Sequence, residues 1–178
     1  YLRVPYQRQY LQEAKTASPQ NENAAKDAIA CDVIDNMLQD VIYIVGPGST
    51  TRPILTKLGL PKSLLGVDLI CNRQVVALDV AERDLLRHIV GKPAKLIVTP
   101  IGGQGFLLGR GNQQLSPAVI RAVGKDNILV VATKQKISSL QGKPFLVDIG
   151  DPYLDTALSG LFEVVVGYRD RVIYRVKP

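Results

Sequence analysis

Residues 99–116, Thr-Pro-Ile-Gly-Gly-Gln-Gly-Phe-Leu-Leu-Gly-Arg-Gly-Asn-Gln-Gln-Leu-Ser, carry the side chains and spacings best suited to chemistry. Five glycines (102, 103, 105, 109 and 111) fall within ten positions. Glycine lets a ligand approach the main chain closely, and a bend with several free N–H groups attracts anions. Arg110 adds a rigid fork of donors, while Asn112, Gln113 and Gln114 add donors and acceptors together. Phosphate donors beside amide readers suit a nucleotide better than a bare ion. The bland alternative is a tight glycine hairpin with no ligand.

Charge gathers at the same place. The chain has 22 Lys+Arg against 16 Asp+Glu, a net of +6. Between Lys92 and Lys143 stand eight basic residues and a single acid, Asp126, which makes that segment +7 and the remainder −1. A local positive field favours a polyanionic ligand, although a solvated basic face would give the same count. A second phosphate-friendly stretch is Gly46-Pro47-Gly48-Ser49-Thr50-Thr51, placed between an apolar run and a short helix. It has no Gly-Lys-Ser/Thr and therefore is not a Walker A loop. Its hydroxyl residues could equally cap the following helix.

These loops need a scaffold. A chain of 178 residues with 46% hydrophobic content can bury one core, or one large and one small lobe. No apolar run is long enough to span a membrane. Cys31 and Cys71 have neither metal-ligand spacing nor the number a disulfide scaffold needs, which reads as reduced thiols in a cytoplasmic protein. His88 is the only histidine, so a His-rich metal site or a Ser-His pair has little basis. Aromatic residues make up 6% and no basic stretch interleaves with stacking rings, which argues against nucleic acid.

Residues 1–23 read as an extended lead-in. Apolar spacings of three and four predict a helix over 24–38. Val41–Val45 is a buried strand, and the short helix after the Gly46–Thr51 loop ends at Gly59. Strands are expected over 64–71, 74–78, 94–98, 128–133 and 145–149, with helices over 81–90, 117–123 and 134–140. Ser116 and Pro117 open the 117–123 helix as cap and first residue. Residues 162–168 and 172–176 alternate like a terminal hairpin. The expected fold class is α/β, strands alternating with short helices plus an antiparallel C-terminal β-hairpin.

Three blocks carry a family resemblance: Val45-Gly46-Pro47-Gly48-Ser49-Thr50-Thr51-Arg52, Leu65-Gly66-Val67-Asp68, and Thr99 through Pro117. They resemble the later part of the predicted ATP- or polyphosphate-dependent NAD kinases, within the NAD/diacylglycerol kinase-like superfamily. Val147-Asp148-Ile149-Gly150-Asp151 and Val166-Gly167-Tyr168-Arg169 are similar to that family's closing segment. The likeness covers roughly residues 24–178. It implies phosphorylation of the 2′-hydroxyl of NAD to give NADP, with ATP and a divalent metal (Mg), or polyphosphate, as donor. The family's catalytic Gly-Gly-Asp-Gly-Thr loop has no counterpart here; Gly102-Gly103-Gln104-Gly105 has an amide where the acid should be, so no catalytic residue is carried over. The implied picture is a C-terminal nucleotide-binding part, 24–178, whose N-terminal catalytic domain is absent.

On that picture Gly102, Gly103, Gly105, Arg110 and Gly111 would hold phosphate, and Asn112 and Gln113 would read a base or ribose. Gly48, Ser49 and Thr50 would make a second phosphate or ribose contact. Asp68 and Asp148 could orient a metal or a hydroxyl, or serve as turn and cap residues. Asn21-Glu22 resembles the family's Asn-Glu pair only by coincidence of type. Competing expectations are a non-catalytic nucleotide-binding or regulatory module, and a lipid kinase of the same superfamily. Exposed strand edges make a homo-oligomer possible.

Overall fold

The computed structural model describes residues 2–3, 19–110 and 112–178. Its strands are β1 (Leu2–Arg3), β2 (Ile42–Val45), β3 (Asp68–Cys71), β4 (Gln74–Ala77), β5 (Ala94–Val98), β6 (Phe106–Leu108), β7 (Ile128–Val131), β8 (Phe145–Val147), β9 (Gly160–Gly167) and β10 (Asp170–Lys177). The helices are α1 (Pro19–Asp35), α2 (Arg52–Lys57), α3 (Glu82–Ile89), α4 (Pro117–Val123), α5 (Lys134–Ser139) and α6 (Pro152–Leu158). One sheet runs in the order β4-β3-β2-β5-β7-β9-β10-β8-β6, with β1 alongside β10. Strands β2, β5, β7 and β9 are mutually parallel, while β3 and β10 run antiparallel to their neighbours β2 and β9.

Why the central strands read as unbroken apolar runs is visible in their two faces. Ile42 and Ile44 of β2 face one core with Leu96, Val98, Val130 and Val164; α3, α4 and α5 close it through Leu85, Val119, Ile120 and Ile137. Tyr43 and Val45 face the other with Ile97, Val131 and Val165, closed by Ile29 and Val33 of α1 and Ile54 and Leu55 of α2. A strand covered on both sides has no polar face to present. Burying each such side chain stabilises the fold by about 1.5–3 kcal/mol.

Several expectations change here. Helix α1 spans Pro19–Asp35 and not 24–38, so part of the supposed extended lead-in is helical. Proline fits the first turn, where its missing N–H has no intrahelical partner to lose. The rest of the lead-in lies outside the described residues, apart from Leu2–Arg3, which pair with Arg171–Val172. The strand expected over 64–71 begins only at Asp68, and Leu64 and Leu65 are exposed on a loop. The expected C-terminal hairpin forms as β9–β10, and it fills the middle of the sheet between β7 and β8. Phe162, Val164 and Val166 on one side and Val165 on the other are all buried, as an interior strand requires. Asn72 and Arg73 turn β3 into β4 with φ values of 53° and 64°, the paired left-handed conformation of a tight hairpin.

Candidate nucleotide site

Strands β2 and β5 are parallel neighbours whose chains leave in opposite directions. From β2 the chain passes to α2 on one face and on to β3; from β5 it passes through β6 and α4 on the other face to β7. In open α/β sheets such a switch point opens a crevice at the carboxyl ends of the strands, where ligands bind. Two glycine loops that the sequence singles out, Gly46–Thr51 and Thr99–Gly105, start at this place.

They touch. Gly48 has φ +134°, and a β-carbon there would fall 2.7 Å from Cγ2 of Thr99. Only glycine allows the two loops this proximity. Thr51 is buried, and its hydroxyl donates to the carbonyls of Gly46 (2.7 Å) and Gly48 (3.1 Å). Thr51 stands at the cap position of α2, yet its side chain makes no cap hydrogen bond; it fastens the loop. Ser49 is exposed and its Oγ accepts from Nζ of Lys26 at 3.1 Å.

The stretch from residue 99 to 116 divides in two. Ile101 and Phe106 exchange backbone hydrogen bonds (2.8 and 3.0 Å), which makes Gly102–Gly105 a tight hairpin turn. Gly103 is exposed, whereas Gly105 is buried against Leu140. Strand β6 follows, and the second turn begins beyond it, with Gly109 crossing the backbone of Asp148. The sequence placed both turns in one cradle; β6 sets their backbones apart. Arg110 folds back over this strand, its guanidinium 4.7 Å from the centre of the Phe106 ring and 3.9 Å from Asp148. It is thereby the one cation of the second turn that stands near the first.

Asn112 has a different job from the one its type suggested. It is buried; its Oδ1 accepts from Gly109 N (3.2 Å) and its Nδ2 donates to Leu107 O (3.3 Å). The amide holds the second turn together. Gln113 is exposed on that turn, and Gly111 lies outside the described residues.

Asp68 is fully buried. Nζ of Lys62 lies 2.6 Å from its Oδ2, and Ser63 N, Ser63 Oγ and Asp79 N all donate to it. Burial alone would raise its pKa. The hydrogen bonds from Lys62, Ser63 and Asp79 and the Lys62 charge outweigh that and hold the carboxyl below its ordinary value. Its acceptor directions are spent on the loop before β3 and on Asp79 after β4, so Asp68 anchors these two loops. Among the described residues no group of three or more His, Cys, Asp or Glu could hold a metal ion.

Three residues at the site had been given no role there from the sequence. Thr133, at the carboxyl end of β7, is buried; it donates to Oε2 of Glu22 at 2.8 Å and caps α5 by accepting from Lys136 N at 3.1 Å. Lys136 reaches back and donates to Gly102 O at 2.7 Å, and burial lowers its ammonium's pKa. Lys26 is the third. They lie 23 to 111 residues from their partners, so no local motif could join them; the one available signal was that Thr133 and Lys136 follow a buried parallel strand.

No helix of the described residues is long and apolar enough to cross a membrane, and both cysteines are free. Comparison with curated proteins and with solved structures returns no match. Residues 38–176, more than three quarters of the chain, match the family model described as the ATP-NAD kinase C-terminal domain. The mixed α/β sheet with its β9–β10 hairpin agrees with that assignment, and the chain belongs to the ATP-NAD kinase C-terminal domain family.

Proposed function

We propose that this chain supplies the nucleotide-binding walls of an NAD kinase, which moves a terminal phosphate from ATP or polyphosphate to the 2′-hydroxyl of NAD. The observation that carries the proposal is the contact of the Gly48 and Thr99 loops at the switch point, in a chain of this family. Gly48, Ser49 and Thr50 form one wall. Gly102, Gly103 and Gly105 form the other, with Arg110 beside it over Phe106. Gln113 belongs to the second turn, and Asn112 keeps that turn in shape.

The carboxylate that would orient or deprotonate the 2′-hydroxyl is sought outside these residues, in an N-terminal catalytic domain. A divalent ion, where the donor requires one, would neutralise charge on the donor's phosphates.

Calorimetric titration of the chain with NAD, NADP and ATP tests the proposal, alongside Arg110→Ala. Micromolar or tighter binding of a dinucleotide, weakened in the variant, supports it. A folded chain that binds none of the three would overturn the assignment of the site to these residues.

A further inference from the structure

Helices α1 and α5 cover opposite faces of the sheet. Each sends one lysine over the carboxyl edge to a different wall of the crevice. Lys26 of α1 sits on Ser49 Oγ at 3.1 Å, and Lys136 of α5 sits on Gly102 O at 2.7 Å. The walls themselves are in contact through Gly48 and Thr99.

We propose that Lys26 and Lys136 form a two-armed clamp that grips a linear oligophosphate across the β2–β5 crevice. The assignment deepens the nucleotide-binding reading above and rests on it for the molecule that carries the phosphates.

Several other basic side chains already have carboxylate partners. Lys62 pairs with Asp68, Lys134 with Asp170, Arg121 with Asp151, and Arg171 with Asp32 and Glu163. Lys26 and Lys136 each touch one neutral oxygen, and neither has a carboxylate within ion-pair distance among the described residues. Asp27 follows Lys26 directly but is not within ion-pair distance of it among the described residues, and Glu22, one helical turn before, accepts from Thr133. An ammonium has three N–H donors, so each lysine keeps two for a ligand. Partial burial strips Lys136 of water that an anionic oxygen would replace. Lysine binds phosphate as a point charge, free to swing onto whichever oxygen arrives. Two point charges on opposite walls suit a ligand with negative oxygens at both ends, such as a di- or triphosphate chain. On this assignment a lone orthophosphate would meet only one arm.

The test is calorimetric titration of the full chain, in EDTA, with inorganic triphosphate, orthophosphate and NAD, for the wild type, Lys26→Met and Lys136→Met. Triphosphate should bind at least about 10-fold more tightly than orthophosphate, and each variant should lose about 10-fold of that affinity with an unchanged circular dichroism spectrum. Triphosphate no tighter than orthophosphate, or both variants within about 3-fold of wild type, overturns the clamp. Should Lys136→Met fail to fold, Lys26→Met decides alone, since the one hydrogen bond its ammonium makes among the described residues is exposed. NAD binding with no response to triphosphate sinks the clamp and leaves the nucleotide reading standing. Clamp behaviour without NAD binding does the reverse.

Discussion

Replacing Gly48 by alanine tests the contact on which the site depends. The new β-carbon would lie 2.7 Å from Thr99 Cγ2, well inside van der Waals contact, in a backbone with φ +134°. Thr99 cannot simply rotate away, because it is buried and β-branched side chains are stiff at χ1. The strained backbone costs about 1–2 kcal/mol. Overpacking adds about 1–2 kcal/mol, so Gly48→Ala should lose about 3 kcal/mol. Thr99→Ser removes only the offending methyl and keeps the hydroxyl, at a cost of about 1 kcal/mol. If the methyl and the new β-carbon collide, the double variant relieves the overlap and loses only about 2–3 kcal/mol, against about 4 for simple addition. Urea unfolding of the four proteins, read at constant m, measures the cycle. Additivity within about 0.5 kcal/mol would refute the claim that this contact sets the spacing of the two loops.

Asp68→Asn should destabilise the fold by about 3–5 kcal/mol in urea, since it leaves the buried Lys62 ammonium without its counter-charge. The carboxyl's folded pKa lies below its ordinary 3.8, so its contribution is complete above 3.8 and lost as pH falls through the folded value. Acid titration of stability should therefore lose that limb in the variant. Gly109→Ala puts a β-carbon 1.8 Å from the Asp148 carbonyl oxygen, a backbone atom with no rotamer to yield; a loss above about 4 kcal/mol, or no folded product on expression, is expected. Asn112→Ala removes two hydrogen bonds from the second turn and should cost about 2 kcal/mol, with faster amide exchange at Gly109 as the local readout.

How much of this was legible beforehand follows from the range of each interaction. β2 and β5 announced themselves because burial on both faces leaves no polar position to confuse the pattern. Ser116 and Pro117 opened α4 as expected because capping is a matter of adjacent residues: Ser116 Oγ accepts from Val119 N. Leu64 and Leu65 misled because their exposure depends on the buried Lys62–Asp68 anchor, a contact that apolar periodicity does not register. β6 stayed hidden within the glycine stretch, since three residues are too few to show a period. The glycine loops were recognisable as candidate walls from composition. That Gly48 meets Thr99, that Asn112 turns inward, that Lys26 reaches Ser49 and that Lys136 reaches Gly102 are products of the sheet order, which no stretch of the sequence displays on its own.

The place of β9 and β10 bears on how the molecule is made. They follow every other strand in the sequence, yet they separate β7 from β8 in the finished sheet. During synthesis β2, β5 and β7 can associate early, whereas β6 and β8 have no route to that assembly until residues 160–177 have left the ribosome. Until then β7 presents an open edge flanked by apolar side chains, Val130 and Val131 among them, to whatever nascent or neighbouring chain is near. A product cut short before Gly160 would keep that edge permanently, making residues 160–177 as much a guard against aggregation as a part of the core.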